Sequence, residues 1–417
     1  MTSIKDLLQT LASSIDNRPP VCFGSLPVST NQCELFYGKR DSVRRLNFAN
    51  ASQDELKSLS ASCDRATFGV NQADVLDESY RKAGKLDSSD FSMQFNAVET
   101  GLLDVVSTEL FEGKWAARPI RAELYKLNVY EEGSFFKSHV DTPREESMFG
   151  SLVITFPTKH EGGALTFRHE GGEWTVDSGG LISEQAEPCV VYAAFYSDVE
   201  HEVLPVKTGC RVTVTYNLYF AQDAQPLTRP VGTPIPAHRS ALESAFTVLL
   251  AKRTFLRDGG CLGFGLHHQY PLDKSIGKRK QLSVLQQFLK GGDAVLKQLC
   301  DDLKLKNYLG VVYRRQENYS NDVVDILCKQ VVNFDGAMVE DSLVEYLRDE
   351  YEGQLLTKTK FDKPDLDVTW VTDTPQVNFV KQQYMAYGNQ AEMTHAYFRV
   401  CLFAKVGAVG ARETAGQ

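Results

Sequence analysis

The sequence predicts a mainly β protein with helices, of α+β class. Three observations carry that prediction. Short strand-like runs crowd the stretch from residue 121 to 222. Amphipathic helical patterns precede it. Helical and strand patterns mix from 241 to 407. At 417 residues the chain is too long for one small core, which predicts two or three domains.

Residues 1–120 read as a helical and loop-rich lead-in that packs on the β-rich region. Near the start, Ile4, Leu7, Leu8, Leu11 and Ile15 fall on one helical face with charge between them, which predicts an amphipathic surface helix. Ser52 and Glu55 in "SQDELKSL" form a capping-box signature. "FNAVETGLLDVVSTELFEG" places Phe95, Val98, Leu102, Val105, Val106 and Leu110 at helical spacing, with Gly113 as a stop.

From 121 to 222 the texture is strand and turn. "RAELYKLNVY", "GSLVITFP", "GALTFRH", "GEWTV", "EPCVVYAAFY", "EHEVLPV" and "CRVTVTYNLYF" are separated by Gly, Pro or charged turns, which predicts a β-sandwich or barrel. Residues 223–240, with Pro226, Pro230, Pro234 and Pro236, read as a semi-rigid linker. Residues 241–407 read as an α+β accessory domain, and 408–417 as a disordered tail.

Composition excludes several classes. A net charge of −9 argues against holding nucleic acid through its phosphates, which needs a basic surface. The nine cysteines are scattered with no C-x-x-C pair, so a structural zinc site is not expected. No run approaches the apolar length of a membrane span, and the N-terminal helix is not a signal sequence. The expectation is an intracellular protein, cytoplasmic or nuclear, with no membrane partner.

The chemistry centres on "SFFKSHVDTPR", residues 134–144. His139 and Asp141 are two apart, so on a strand they share a face, roughly 6.6 Å apart along the backbone. With 54 acids in 417 residues, eight histidines yield about one such pair by chance, so the pair alone decides little. His201 follows 62 residues later in another strand-like run. Arg211 comes ten residues further on, in "CRVTVTYNLYF", sharing a face with Thr213 while Val212, Val214 and Tyr216 share the other. An arginine inside so apolar a strand is costly to bury unless an anion meets it.

With these residues in view, the sequence resembles the Fe(II)- and 2-oxoglutarate-dependent dioxygenases of the prolyl-4-hydroxylase-like superfamily. The resemblance covers about residues 120–221 and rests on "YEEGSFFKSHVDT", "GGALTF" and "SDVEHEVLPVKTGCRVTVTYNL". The family motif is H-x-D, a distal His and then a basic residue, and His139, Asp141, His201 and Arg211 occupy those positions.

The resemblance implies a double-stranded β-helix (jelly roll) catalytic domain. It implies His139, Asp141 and His201 as ligands to Fe(II), and Arg211 with Thr213 on the far carboxylate of 2-oxoglutarate, with O2 as the second co-substrate. It also implies a co-substrate contact for Tyr130, or in its place Tyr125. Arg144 and Lys137 flank the motif and are candidates for holding substrate. Two imidazoles and one carboxylate on one face leave the opposite face of an octahedral iron open for co-substrate and oxygen.

The implied reaction is hydroxylation of an unactivated C–H bond, in a prolyl or other amino-acid side chain of a protein or peptide. Three alternatives stand beside it: an oxygenase acting on a free amino acid or natural product, a cupin-type roll that uses no co-substrate, and an inactive binding protein built on the same roll.

Overall fold

The computed structural model describes residues 3–15, 19–39, 42–70, 73–111, 118–142, 144–145, 147–221, 237–270, 280–316, 323–334, 338–340, 343–358, 363–372, 379–387 and 392–412. The chain forms two compact units. One comprises Pro19–Phe111 and Ala116–Arg229. The other comprises Met1–Arg18, Glu112–Trp115 and Pro230–Gln417.

The first unit is a roll of two antiparallel sheets. The larger has seven strands in the order Val21–Pro27, Cys189–Tyr196, Met148–Thr155, Arg211–Phe220, Ile120–Tyr130, Gly84–Asp87 and Asp64–Arg65. The smaller has five: Gly172–Val176, Leu165–His169, Glu200–Val203, Phe135–His139 and Arg81–Lys82. Val212, Val214, Leu152, Ile154, Leu127 and Val129 are buried on the larger sheet's apolar face. The alternate positions Arg211, Thr213, Thr155 and Asn128 are polar and also buried. Strands buried on both faces hold their register firmly, because a one-residue slip would swap the polar row for the apolar one.

The lead-in differs from the helical expectation. It supplies edge strands to both sheets of the roll, and Glu34–Tyr37, Arg44–Asn47 and Phe91–Met93 form a small sheet of their own. These strands are two to seven residues long and lack clean alternation, so their conformation comes from pairing with neighbours. The capping box at Ser52 is present, and it starts the helix Gln53–Ala61. The next helix runs only from Leu102 to Leu110. Its start is delayed because the Asn96 side chain accepts from the Val98 amide and Gly101 adopts a left-handed φ of 74°. Val98, ahead of the helix, and Val105, on its outer face, are exposed. Gly113 lies outside the described residues. Phe167 is buried in the roll, whereas Trp174 stays half-exposed on its hairpin.

In the second unit a long strand, Glu392–Val406, pairs with Phe379–Tyr387, Lys306–Gln316 and Gly260–Gly265. Helices Ala237–Ala251 and Gly291–Asp302 belong to the same unit. Here the N-terminal helix corrects the expectation that the whole lead-in packs on the roll. Helix Ile4–Ser13 buries Leu7 and Leu11, and Ile15 beyond it, in one core with Leu242, Phe246 and Leu249 of this unit. Its apolar stripe finds a matching helix face there.

The start of the tail is also ordered. Arg412 donates to the carbonyls of Leu250, Phe255, Leu256 and Gly407, engaging all three guanidinium nitrogens with backbone acceptors. Residues 413–417 and residues 223–236 of the expected linker lie outside the described residues, and the linker's last residues, 237–240, already belong to the helix Ala237–Ala251. No helix among the described residues is long and apolar enough to cross a membrane.

Candidate active site

The strands Phe135–His139 and Glu200–Val203 pair so that His139 and His201 are register partners, with ring centroids 4.2 Å apart. The His139 Nδ1 lies 2.8 Å from the Lys137 carbonyl, and the His201 Nδ1 lies 2.9 Å from the Val199 carbonyl. A carbonyl only accepts, so each Nδ1 carries the proton and each Nε2 keeps its lone pair for a ligand role.

Asp141 lies just past the strand end, where its amide donates to the Ser197 carbonyl at 3.0 Å. One carboxylate oxygen accepts from the Ser151 hydroxyl at 2.5 Å, and the other lies 3.9 Å from the His201 Nε2. One donor atom from each of His139, Asp141 and His201 falls within 4.8 Å of the other two. Phe136 stacks on His139 at 3.6 Å and Phe195 lies 4.5 Å from His201. Burial and the neighbouring His201 push the His139 pKa down to about 3, which keeps this imidazole neutral.

Arg211 opens the strand Arg211–Phe220 and is 2% exposed. Its Nε donates to the Ser178 hydroxyl at 3.4 Å and its Nη2 to the Thr155 hydroxyl at 3.3 Å. It meets no carboxylate among the described residues, and burial lowers its pKa to about 10. His160 supports it from behind. The His160 Nδ1 lies 2.8 Å from the Thr158 carbonyl and its Nε2 3.1 Å from the Ser178 hydroxyl. Donor logic fixes the direction: Arg211 donates to Ser178, Ser178 to His160, and His160 to the Thr158 carbonyl. Gly163, at φ 68°, completes the cradle. A Cβ there would sit 3.0 Å from the Arg211 Cδ and 2.8 Å from a Val206 methyl.

A cavity of about 100 Å³ connects the two groups, lined by His139, Asp141 and His201 and by Arg211, Thr213 and Tyr130. Tyr130 is the register partner of Arg211, with the guanidinium 5.4 Å from its ring. Tyr125 also lines the cavity, although it is five residues from Tyr130 and a regular strand would turn it to the other face. A bulge explains this: the register jumps between Leu124 and Lys126, leaving Tyr125 as the extra residue.

Arg144 is exposed, with its guanidinium 4.1 Å above the Tyr125 ring. The Lys137 side chain is exposed and is not among the cavity's described lining, and its carbonyl orients His139.

The sequence reading does not single out several residues in the cavity wall, or Thr155 behind it, which accepts from Arg211. Lys126 and Asn128 carry a readable signal, alternating with Leu127 and Val129 in "LYKLNVY". Ser151 and Thr155 alternate similarly in "GSLVITF". Arg81 carries none, because a two-residue strand brings it in: its guanidinium lies 4.3 Å over the Phe136 ring and donates to the Asn128 side chain at 2.9 Å.

The family model described as the 2OG-Fe(II) oxygenase superfamily matches residues 125–219. Among solved structures, the chain is similar to a Pseudomonas putida prolyl-4-hydroxylase at 16% identity, over 51% of this chain and 100% of that one, with a TM-score of 0.25. It is similar to a Trichoplax adhaerens prolyl hydroxylase, solved with a hypoxia inducible factor oxygen degradation domain peptide fragment, at 14% identity over 52% and 90%, with a TM-score of 0.30. A viral collagen prolyl hydroxylase from Paramecium Bursaria Chlorella virus-1 is similar at 11% identity over 41% and 92%, with a TM-score of 0.25. No curated protein matches.

The residues present fit the family's cofactor and co-substrates. Two imidazoles with free Nε2 atoms and one carboxylate suit Fe(II). A buried guanidinium whose hydrogen-bond partners among the described residues are hydroxyls suits the carboxylate of 2-oxoglutarate, which would neutralise it and accept two parallel hydrogen bonds. These side chains lie within residues 125–219, the stretch that matches the model of the 2OG-Fe(II) oxygenase superfamily, whose chemistry runs on Fe(II), 2-oxoglutarate and dioxygen.

Proposed function

We propose that the roll is an Fe(II)- and 2-oxoglutarate-dependent dioxygenase that hydroxylates an unactivated C–H bond, with a prolyl or other amino-acid side chain of a protein or peptide as substrate. The observation that carries this is Arg211, a buried cation without a carboxylate partner among the described residues, in one cavity with two imidazoles and a carboxylate. His139, Asp141 and His201 would hold the metal from one side. Ser151 fixes one Asp141 oxygen and leaves the other for the ion. Arg211 and Thr213 would grip the far carboxylate of 2-oxoglutarate, and Tyr130 would close the side of that slot.

Bound Fe(II) supplies the activation of dioxygen, at the expense of 2-oxoglutarate, which leaves as succinate and CO2 while one oxygen atom enters the substrate as a hydroxyl. The protein's part is orientation and charge. The ion (+2), Asp141 (−1), 2-oxoglutarate (−2) and Arg211 (+1) sum to zero, which suits a buried site.

Anaerobically prepared Fe(II) protein given 2-oxoglutarate and then O2 should release succinate, and His139→Ala and Arg211→Ala should abolish or sharply reduce that release. Unchanged turnover in both variants would reject the assignment. Turnover that persists without 2-oxoglutarate would favour a cupin-type enzyme. Comparing coupled with uncoupled succinate yield across peptides and small molecules separates a protein substrate from a free amino acid or natural product.

A further inference from the structure

The balanced charge sum above omits part of the cavity wall. Arg81 and Lys126 also line it, and Asp141 is the only carboxylate residue among its described lining. Although its Nε has no hydrogen-bond partner among the described residues, Arg81 is tied down, by its two terminal nitrogens to the Thr67 carbonyl and Asn128 and by the Phe136 ring beneath it. Lys126 is not. It is 9% exposed, yet it makes no hydrogen bond and no ion pair among the described residues. Its cross-strand partners are Thr215 and Asp87, and the Asp87 carboxylate is engaged by Lys85 at 3.3 Å. The ammonium lies over the face of Tyr125, 3.9 Å from the ring centre.

The bulge at Tyr125 gives this arrangement its purpose. It puts two consecutive residues, Tyr125 and Lys126, on the cavity wall, which a regular strand cannot do. The same ring then carries the exposed Arg144 guanidinium at 4.1 Å. Two cations on one aromatic platform, one in the cavity wall and one in solvent, make a path of positive potential into the site. A cation on a largely buried side chain with no anionic partner among the described residues is costly to hold, and an anion that enters with the substrate offsets that cost.

We propose that the substrate carries a carboxylate, bound by Lys126 inside the cavity and guided there by Arg144. This rests on the oxygenase reading of the same site. The carboxylate has two sources, a small free acid or an acidic residue of a peptide.

The test uses the full-length protein, loaded anaerobically with Fe(II) and saturated with 2-oxoglutarate. Two matched pairs of probes are titrated by calorimetry at low and moderate salt. One pair is N-acetyl-L-proline and its amide. The other is an acetylated proline-containing hexapeptide with Glu, or with Gln, beside the proline. At least one acid should bind tenfold or more tighter than its neutral twin, with the gap narrowing as salt rises. Lys126→Gln should erase the gap, Arg144→Gln should reduce it, and Lys126→Arg should retain it. The pair that discriminates names the source. The inference is overturned if neither acid binds, if both neutral twins bind as well as their acids, or if Lys126→Gln leaves the gap intact. Binding of 2-oxoglutarate is read in the same anaerobic samples, and succinate release after O2 is admitted to them. A protein that passes both but ignores the acid sinks this inference alone, whereas failure to bind 2-oxoglutarate sinks the oxygenase reading and this inference with it.

Discussion

His139 and His201 face each other as register partners on adjacent antiparallel strands, their rings 4.2 Å apart. Strand pairing, more than any loop, therefore sets the distance between the two imidazoles, and Asp141 is added from the turn that follows. A site built on paired strands is held more precisely than one built on loops.

Ser151 fixes the carboxylate. Its hydroxyl is 2.5 Å from one Asp141 oxygen. Ser151→Ala should leave the fold intact and weaken Fe(II) or Mn(II) affinity roughly 10- to 100-fold, the usual effect of losing a partner that orients a ligand. Metal titration followed by calorimetry checks this, and an unchanged affinity would remove Ser151 from the account.

His160 and Ser178 act on 2-oxoglutarate only through Arg211. Ser178→Ala and His160→Ala should raise the KM for 2-oxoglutarate several-fold while kcat at saturation changes little, because the guanidinium loses its rear support and keeps its charge. Arg211→Lys should raise that KM further, since a single ammonium cannot replace a planar fork. Steady-state kinetics separates the two parameters.

Gly163 is constrained twice, by its φ of 68° and by the approach of Arg211. Gly163→Ala should destabilise the protein by about 1–3 kcal/mol from backbone strain and contact and should raise the KM for 2-oxoglutarate as well. A loss of stability with unchanged KM would confine its role to the turn.

The metal-free protein should lose stability on acidification. Burial lowers the pKa of His139 to about 3 and also lowers that of His160. In each case the unfolded chain, near 6.5, takes up the proton first. Stability is therefore full above about pH 6.5 and falls as the pH drops toward the folded-state values. The slope is at most about 1.4 kcal/mol per pH unit for each group, and less for His139, which is partly exposed. Chemical denaturation between pH 7.5 and 5 measures it, and His160→Gln should flatten the curve.

The strands of the roll were legible because apolar residues there alternate or run between Gly and Pro turns. The proximity of His139, Asp141 and His201 was readable because one motif puts two of them on one short segment and a strand-rich stretch returns the third. Legibility ended where pairing overrides local preference. The edge strands of the lead-in have no pattern of their own, and the N-terminal helix joins the core of the second unit, a choice that periodicity cannot reveal. The bulge at Tyr125 was equally hidden, since an extra residue in a strand leaves no mark in composition. Lys126 was overlooked because a lysine in a strand usually reads as a solvated edge.

The most direct measurement is anaerobic calorimetry of Fe(II) followed by 2-oxoglutarate, on wild type, His139→Ala and Arg211→Ala. Wild type should bind one metal ion and then, only in its presence, 2-oxoglutarate. His139→Ala should lose at least 100-fold in metal affinity, and Arg211→Ala should bind metal normally but 2-oxoglutarate at least tenfold more weakly. Wild-type metal affinity in the first variant, or wild-type 2-oxoglutarate affinity in the second, would contradict the site described here.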